Sequence, residues 1–136
     1  MPLDPKLRAA YEATHYVIWE DHGPVLRIGH YCPQMDELLE ADGATTAAFI
    51  TADNPNGLLR AESENAEAFV RLLDLPVPYK TYVGEGCDPE GEWPPEASIL
   101  FVGISRADAE SLGRQFGQLA IVFVEWGKAP ELVVLV

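Results

Sequence analysis

Three stretches of this 136-residue chain run apolar almost without a break: Thr46 to Ala52, Ser98 to Ile104 and Leu119 to Val124. At six or seven residues each they are short for helices, and they are rich in Val, Ile and Phe, so they read as strands. A strand with one wet face alternates apolar with polar residues; one without polar positions has to be covered on both faces. The rest of the chain must supply that cover. With 48% hydrophobic residues it has the material, and at this length it needs no disulfide or metal staple.

The remaining elements follow from local chemistry. Thr14 to Trp19, the turn Asp21-His22-Gly23-Pro24 and Val25 to Gly29 have the pattern of a hairpin. Pro33 opens a short helix with Asp36 and Glu37 in its first turn, Met35, Leu38 and Leu39 on one side, and Gly43 as its stop. A longer helix starts near Ser63, where Ala66, Phe69, Val70 and Leu73 fall at helical spacing and predict the core-facing stripe. Tyr79 to Val83 alternates as a strand, and Gly84 to Pro95 reads as one long loop. Ser105 suits the cap of a third helix that buries Ala109, Leu112, Gly113 and Phe116 and stops at Gly117. Leu132 to Val136 is a last strand. The order β-β-α-β-α-β-β-α-β-β predicts an α+β fold, a single domain over residues 1–136 with a mixed β-sheet and about three helices packed mainly on one face. Residues 1–10 are expected as a flexible N-terminal segment, with helix-forming residues from Pro5 to Glu12.

Charge narrows the function classes. Nine basic against 22 acidic side chains leave a net charge of −13. The basic residues are scattered singly, so no positive stripe exists for a phosphate backbone, and neither nucleic acid nor an anionic membrane surface is an expected partner. A basic protein or a small polar molecule fits better. No run approaches the roughly 20 apolar residues of a membrane span, and the first residues lack the apolar core of an export signal. A cytoplasmic protein with reduced Cys32 and Cys87 is therefore expected.

Familiar catalytic and metal patterns are missing. Cys32 and Cys87 form no C-x-x-C pair and lack an adjacent base to activate a thiol. Asp88, Glu90 and Glu92 alternate as in a calcium loop, but Gly91 is misplaced and no bidentate Glu follows. His15, His22 and His30 share the first hairpin without helical ligand spacing. Gly84, Gly86 and Gly91 make no phosphate loop, and no Gly-x-Ser-x-Gly surrounds Ser98 or Ser105. No metal or other cofactor is expected from these residues.

Four segments in order carry a family likeness: Phe49-Ile50-Thr51-Ala52-Asp53-Asn54-Pro55, Ser63-Glu64-Asn65, Gly91-Glu92-Trp93-Pro94-Pro95-Glu96-Ala97-Ser98 and Phe116-Gly117-Gln118-Leu119-Ala120. From about Tyr11 to Val124 the chain resembles a bacterial family known as domain of unknown function 3293. The resemblance implies a small single-domain bacterial protein and carries no activity with it. Asp53 stands where the family pattern implies an aromatic residue before Asn-Pro.

Two candidate sites emerge. Asn54 ends one buried strand, Glu96 and Ser98 open another, Gln118 opens a third, and Asn65 lies one helical turn before Phe69. If these strands neighbour one another, Asn54, Asn65, Glu96, Ser98 and Gln118 meet at one sheet end as a ligand pocket, with Glu96 the one titratable member and candidate catalytic base. The same amides could instead clamp turns to the backbone. The second site is the acidic loop, where Glu85, Glu90 and Glu92 surround Trp93 and could hold a basic partner; Trp93 could instead fold back and pin its loop to the core. The leading expectation is a non-catalytic protein-binding module working through that loop, and the alternative is a small-molecule or enzymatic pocket.

Overall fold

The structure, a computed structural model, describes residues 3–21 and 23–136. Asp4 starts the first helix, α1 (Pro5–Ala13), by accepting hydrogen bonds from the amides of Lys6 and Leu7, and Pro5 occupies the first turn, where no amide donor is needed. Residues 5–10, within the stretch expected to be flexible, are helical. Then come β1 (His15–Ile18), β2 (Val25–Leu26), α2 (Pro33–Ala41), β3 (Thr46–Thr51), a 3-10 turn (Pro55–Gly57), α3 (Glu62–Leu73), β4 (Lys80–Cys87), β5 (Glu96–Val102), α4 (Arg106–Gln115), β6 (Ala120–Glu125) and β7 (Glu131–Val134).

The fold is α+β, but the sheet is not mixed. Its seven strands lie in the order β2-β1-β4-β5-β3-β6-β7, and every neighbouring pair is antiparallel. The expectation of parallel pairs came from strands joined through helices. Here β3 and β4, joined by α3, run the same way but have β5 between them, and β5 and β6, joined by α4, have β3 between them. This interleaving is the split βαββαβ arrangement of ferredoxin-like cores, which turns two helical crossovers into an all-antiparallel ladder. The β1–β2 hairpin and β7 extend it at its two edges.

Four helices cover both faces, not about three mainly on one. Ala48, Ile50, Ile99, Phe101, Ile121 and Phe123 pack under α3 and α4 against Ala68, Leu72, Ala109 and Leu112. The alternate residues, Ala47, Phe49, Leu100, Val102, Val122 and Val124, face Met35 and Leu39 of α2 together with Tyr16, Ile18 and Leu26. Both sides of the apolar strands are thus buried, as their lack of polar positions requires. On α3 the stripe is turned by one position: Ala68 and Leu72 are buried with Phe69 beside them, while Ala66, Val70 and Leu73 are exposed. Asn65 takes the first place in that stripe.

The sheet is curled. The Gly29 amide, just after β2, donates to the Pro130 carbonyl, just before β7, at 2.9 Å, so the two edge regions meet. Asp36 in the first turn of α2 fastens the same end, accepting from the Gly127 amide at 2.9 Å and the Tyr31 hydroxyl at 2.5 Å. The face lined by Ala47, Phe49 and Leu100 is the inside of this curl.

Candidate functional site

Along each central strand the inward side chains shrink from one rim of the curl to the other. Toward the α2 rim β5 offers Val102 and Leu100, then Ser98; β6 offers Val124 and Val122, then Ala120; β4 offers Tyr82, then Gly84 and Gly86. Register aligns the change, because Gly84 pairs with Ser98 and Ser98 with Thr51. Side-chain volume therefore withdraws across a whole row. Under α1 this leaves a cleft of about 660 Å³, walled by Leu7, Ala10 and Tyr11 from α1, Tyr16 and Phe49 from the floor, and Trp93 from the β4–β5 loop. Close-packed interiors do not leave such space by accident, and its size is that of a small-molecule site.

The cleft's polar edge is the turn that follows β3. Asn54 lies in the left-handed region (φ 46°), which asparagine tolerates better than most residues. Its amide donates to Asn65 Oδ1 at 3.0 Å, and its side-chain Oδ1 accepts from Asn65 Nδ2 at 3.1 Å and from the Arg60 amide at 3.2 Å. That leaves Asn54 Nδ2 to donate to Glu96 Oε2 at 3.0 Å. Arg60 closes the ring, its Nε donating to Asn65 Oδ1 at 2.7 Å and its Nη2 to the Ala52 carbonyl at 2.9 Å. Across the turn, Gln118 Nε2 donates to the carbonyls of Asp53 and Phe116 at 3.1 and 3.3 Å. The Asn56 amide donates to the Gly117 carbonyl at 2.7 Å, and Gly117 (φ 69°) has no Cβ to strike Pro55. Ser98 Oγ donates to the Glu96 carbonyl at 2.9 Å, so the start of β5 is held as well.

Glu96 is the electrostatic centre. Burial, the negative charge of Asp53 and, against them, the hydrogen bond from Asn54 set its pKa, which is pushed up from 4.5 to about 7. Burial also raises Asp53, with Arg60 working the other way, and the charge of Asp53 in turn helps to raise Glu96. Tyr11 is pushed up to about 12 by burial and then by the charge of Glu96. Tyr16 is raised too, again mainly by burial, and its hydroxyl donates to the Tyr11 carbonyl at 2.7 Å. A carboxyl that titrates near neutrality inside a cleft is equipped for proton exchange.

A family model described as "Protein of unknown function (DUF3293)" matches residues 50–121, just over half of the chain. The chain belongs to the DUF3293 family. Neither the curated proteins nor the solved structures contain a match to it. The matched region of this DUF3293 chain runs from the end of β3 into β6 and includes Asp53, Asn54, Arg60, Asn65, Glu96, Ser98 and Gln118, whereas Tyr11 and Tyr16 precede it.

All five polar residues singled out in the DUF3293 sequence, Asn54, Asn65, Glu96, Ser98 and Gln118, line this one cleft. The acidic loop is shorter than expected, because β4 continues through Gly84 and Gly86 to Cys87. A side chain at Gly84 would collide with the Val17 carbonyl and lie 3.1 Å from the Phe49 ring, so glycine there serves strand packing, not a turn. Asp88 ties the loop itself, accepting from the amides of Glu90 at 3.0 Å and Glu92 at 2.8 Å. Glu90 and Glu92 are exposed, Glu85 accepts from Trp19 Nε1 at 3.3 Å, and half-buried Trp93 turns into the cleft wall, away from its acidic neighbours. Among the described residues no three His, Cys, Asp or Glu side chains group to hold a metal, and His22 lies outside them. Cys32 and Cys87 are free thiols, the latter raised by burial and by Glu85. No described helix is long and apolar enough to cross a membrane.

Sequence reasoning missed Arg60, Asp53, Tyr11 and Tyr16. Arg60 had a readable signal, since an arginine just after Asn-Pro-Asn-Gly sits where a turn exposes carbonyls. Tyr11 had none, because only the docking of α1 across the cleft gives it a role.

Proposed function

We propose that this protein binds a small organic molecule in the cleft, with Glu96 the group that takes up or returns a proton. The observation that carries the reading is the loss of side-chain volume at Gly86, Ser98 and Ala120, which hollows one end of an otherwise filled interior. Supporting it are the Asn54–Asn65–Arg60 ring that spends three polar side chains to position one carboxylate, and the raised pKa of that carboxylate. Such preorganisation costs conformational entropy and is characteristic of sites that must present a group in one orientation. The free thiols suit a reducing bacterial cytoplasm as the place where this happens.

The test is to isolate wild type and Ala120→Leu from the same cells and compare their bound small molecules by native mass spectrometry and extraction. A compound present on wild type and absent from the filled variant supports the reading; identical spectra contradict it. A second reading remains on the acidic surface, where exposed Glu90 and Glu92 could hold a basic protein partner, with Glu85 and Trp93 set back from them. Charge reversal at Glu85, Glu90 and Glu92 should then abolish partner capture and leave the cleft's contents unchanged.

A further inference from the structure

The walls of the cleft are one-sided in chemistry. The charged side chains along them are Asp53, Glu62 and Glu96, and among the described residues no Lys, Arg or His contributes to the lining. Arg60, whose charge acts on Asp53, is engaged through its Nε with Asn65 Oδ1 and through its Nη2 with the Ala52 carbonyl. Several donors are spent as well: Asn54 Nδ2 goes to Glu96, Asn65 Nδ2 to Asn54, Ser98 Oγ to the Glu96 carbonyl and the Tyr16 hydroxyl to the Tyr11 carbonyl, which leaves the Tyr11 hydroxyl and the Trp93 indole N–H as donors on the walls.

Acceptors are left over. Asn54 occupies only one oxygen of Glu96, and Asp53's carboxylate receives no hydrogen bond from a described residue. Gln118 adds another free acceptor. It is 7% exposed, its Nε2 is pinned between two carbonyls, and its Oε1 accepts from no described donor while the residue borders the cleft. Opposite these acceptors stand aromatic faces and edges, Tyr11, Tyr16, Phe49 and Trp93, with Tyr16 and Phe49 packed edge-to-face at 5.5 Å.

We infer that the cleft takes a molecule with a flat apolar body and a protonated nitrogen head, of the arylalkylamine or arylamidine kind, whose N–H groups are received by Glu96, Asp53 and Gln118. This rests on the reading of the cleft as a ligand site and names the class of ligand. Carboxylates, phosphates and sulfonates are repelled by three acidic walls, and a neutral polyol finds few donors. A cation between carboxylates and ring faces gains charge-assisted hydrogen bonds and cation–π contact in a partly dry space. The groups facing Glu96 are Asp53 after β3, Tyr11 on α1 and Tyr16 on β1, with Glu62 on α3 along the wall. Both tyrosines are raised and stay neutral, so it is Glu96 that gains charge as pH passes about 7. Cation affinity therefore increases with pH through that region.

Three near-isosteric probes separate the outcomes: benzamidine, benzamide and benzoate, titrated by amide chemical shift with Gly86, Ser98 and Ala120 as reporters. The expected result is benzamidine binding about tenfold more tightly than benzamide, with benzoate giving no shift at those reporters. That preference should shrink several-fold at pH 5.5 and in Glu96→Gln; the pH arm on wild type stands by itself if the variant misfolds. Equal shifts from benzamide and benzamidine at the reporters would overturn the ligand class while leaving a binding cleft in place. No shift at the reporters from any probe would overturn both.

Discussion

The inside of the curled sheet has two halves built on the same strands, and they are treated oppositely. At one rim α2 inserts Met35 and Leu39 among Leu26, Leu100, Val102 and Val124, all of them buried. At the other rim α1 spans Gly86, Ser98 and Ala120 without filling the space between, and α1 itself buries no residue fully. One strand, β5, passes from Val102 and Leu100 to Ser98 and Glu96 within seven residues. A chain able to fill one rim could have filled the other. The open rim is where the polar turn, the raised carboxyl and the aromatic walls converge, so the unfilled half reads as a binding half.

That contrast can be broken from either side. The largest effect belongs to the filled rim: Leu39→Ala removes a fully buried side chain and should cost about 3–4 kcal/mol of stability in urea unfolding while leaving the cleft's amide shifts unchanged. A loss under 1 kcal/mol would show that α2 is not the plug described. Next comes Glu96, with the opposite sign. Its folded pKa of about 7 lies above the ordinary 4.5, so the folded chain holds that proton more tightly. Stability from this group is therefore full below about pH 4.5 and declines as pH rises to about 7. Glu96→Gln should flatten that decline and stabilise the protein at pH 8 by roughly 2–3 kcal/mol. A variant less stable than wild type at pH 8 would mean that Glu96 is a structural clamp.

The two β4 glycines sharpen the comparison at the boundary between the halves. Gly84→Ala meets the Val17 carbonyl and the Phe49 ring and should cost about 1–3 kcal/mol. At Gly86 the nearest atom to an added Cβ is Thr14 Cγ2 at 3.4 Å, an ordinary contact, and the open cleft lies beside it. Gly86→Ala should change stability by less than about 0.5 kcal/mol, possible gains in the unfolded state included. Equal costs at both positions would erase the boundary.

Much of this was legible in the sequence, for identifiable reasons. Continuous apolar runs at β3, β5 and β6 demanded two covered faces, and both are covered. Polar residues at the ends of those runs could be placed at one rim because strand ends are where packing stops. What failed was whatever depended on long-range order. The interleaving of β5 between β3 and β4 removes every parallel pair, and no local pattern encodes it. Gly84 and Gly86 look like a turn unless the closeness of Val17 and Phe49 is known. On α3 the choice between Ala66-Val70-Leu73 and Ala68-Leu72 turns on one position of rotation, set by where Asn65 must point to reach Asn54. Trp93 has two readings in the sequence, an anchor among acidic neighbours or a pin folded back on its loop, and its place in the cleft wall fits the second.

The most direct measurement is the equilibrium unfolding of Ala120→Leu. Ala120 is buried at the wall of the cleft, and three added carbons either enter vacant space or strike packed atoms. The account requires stability within about 1 kcal/mol of wild type, or above it, because the space is real. A loss beyond about 2 kcal/mol, the mark of an overpacked core, would contradict it.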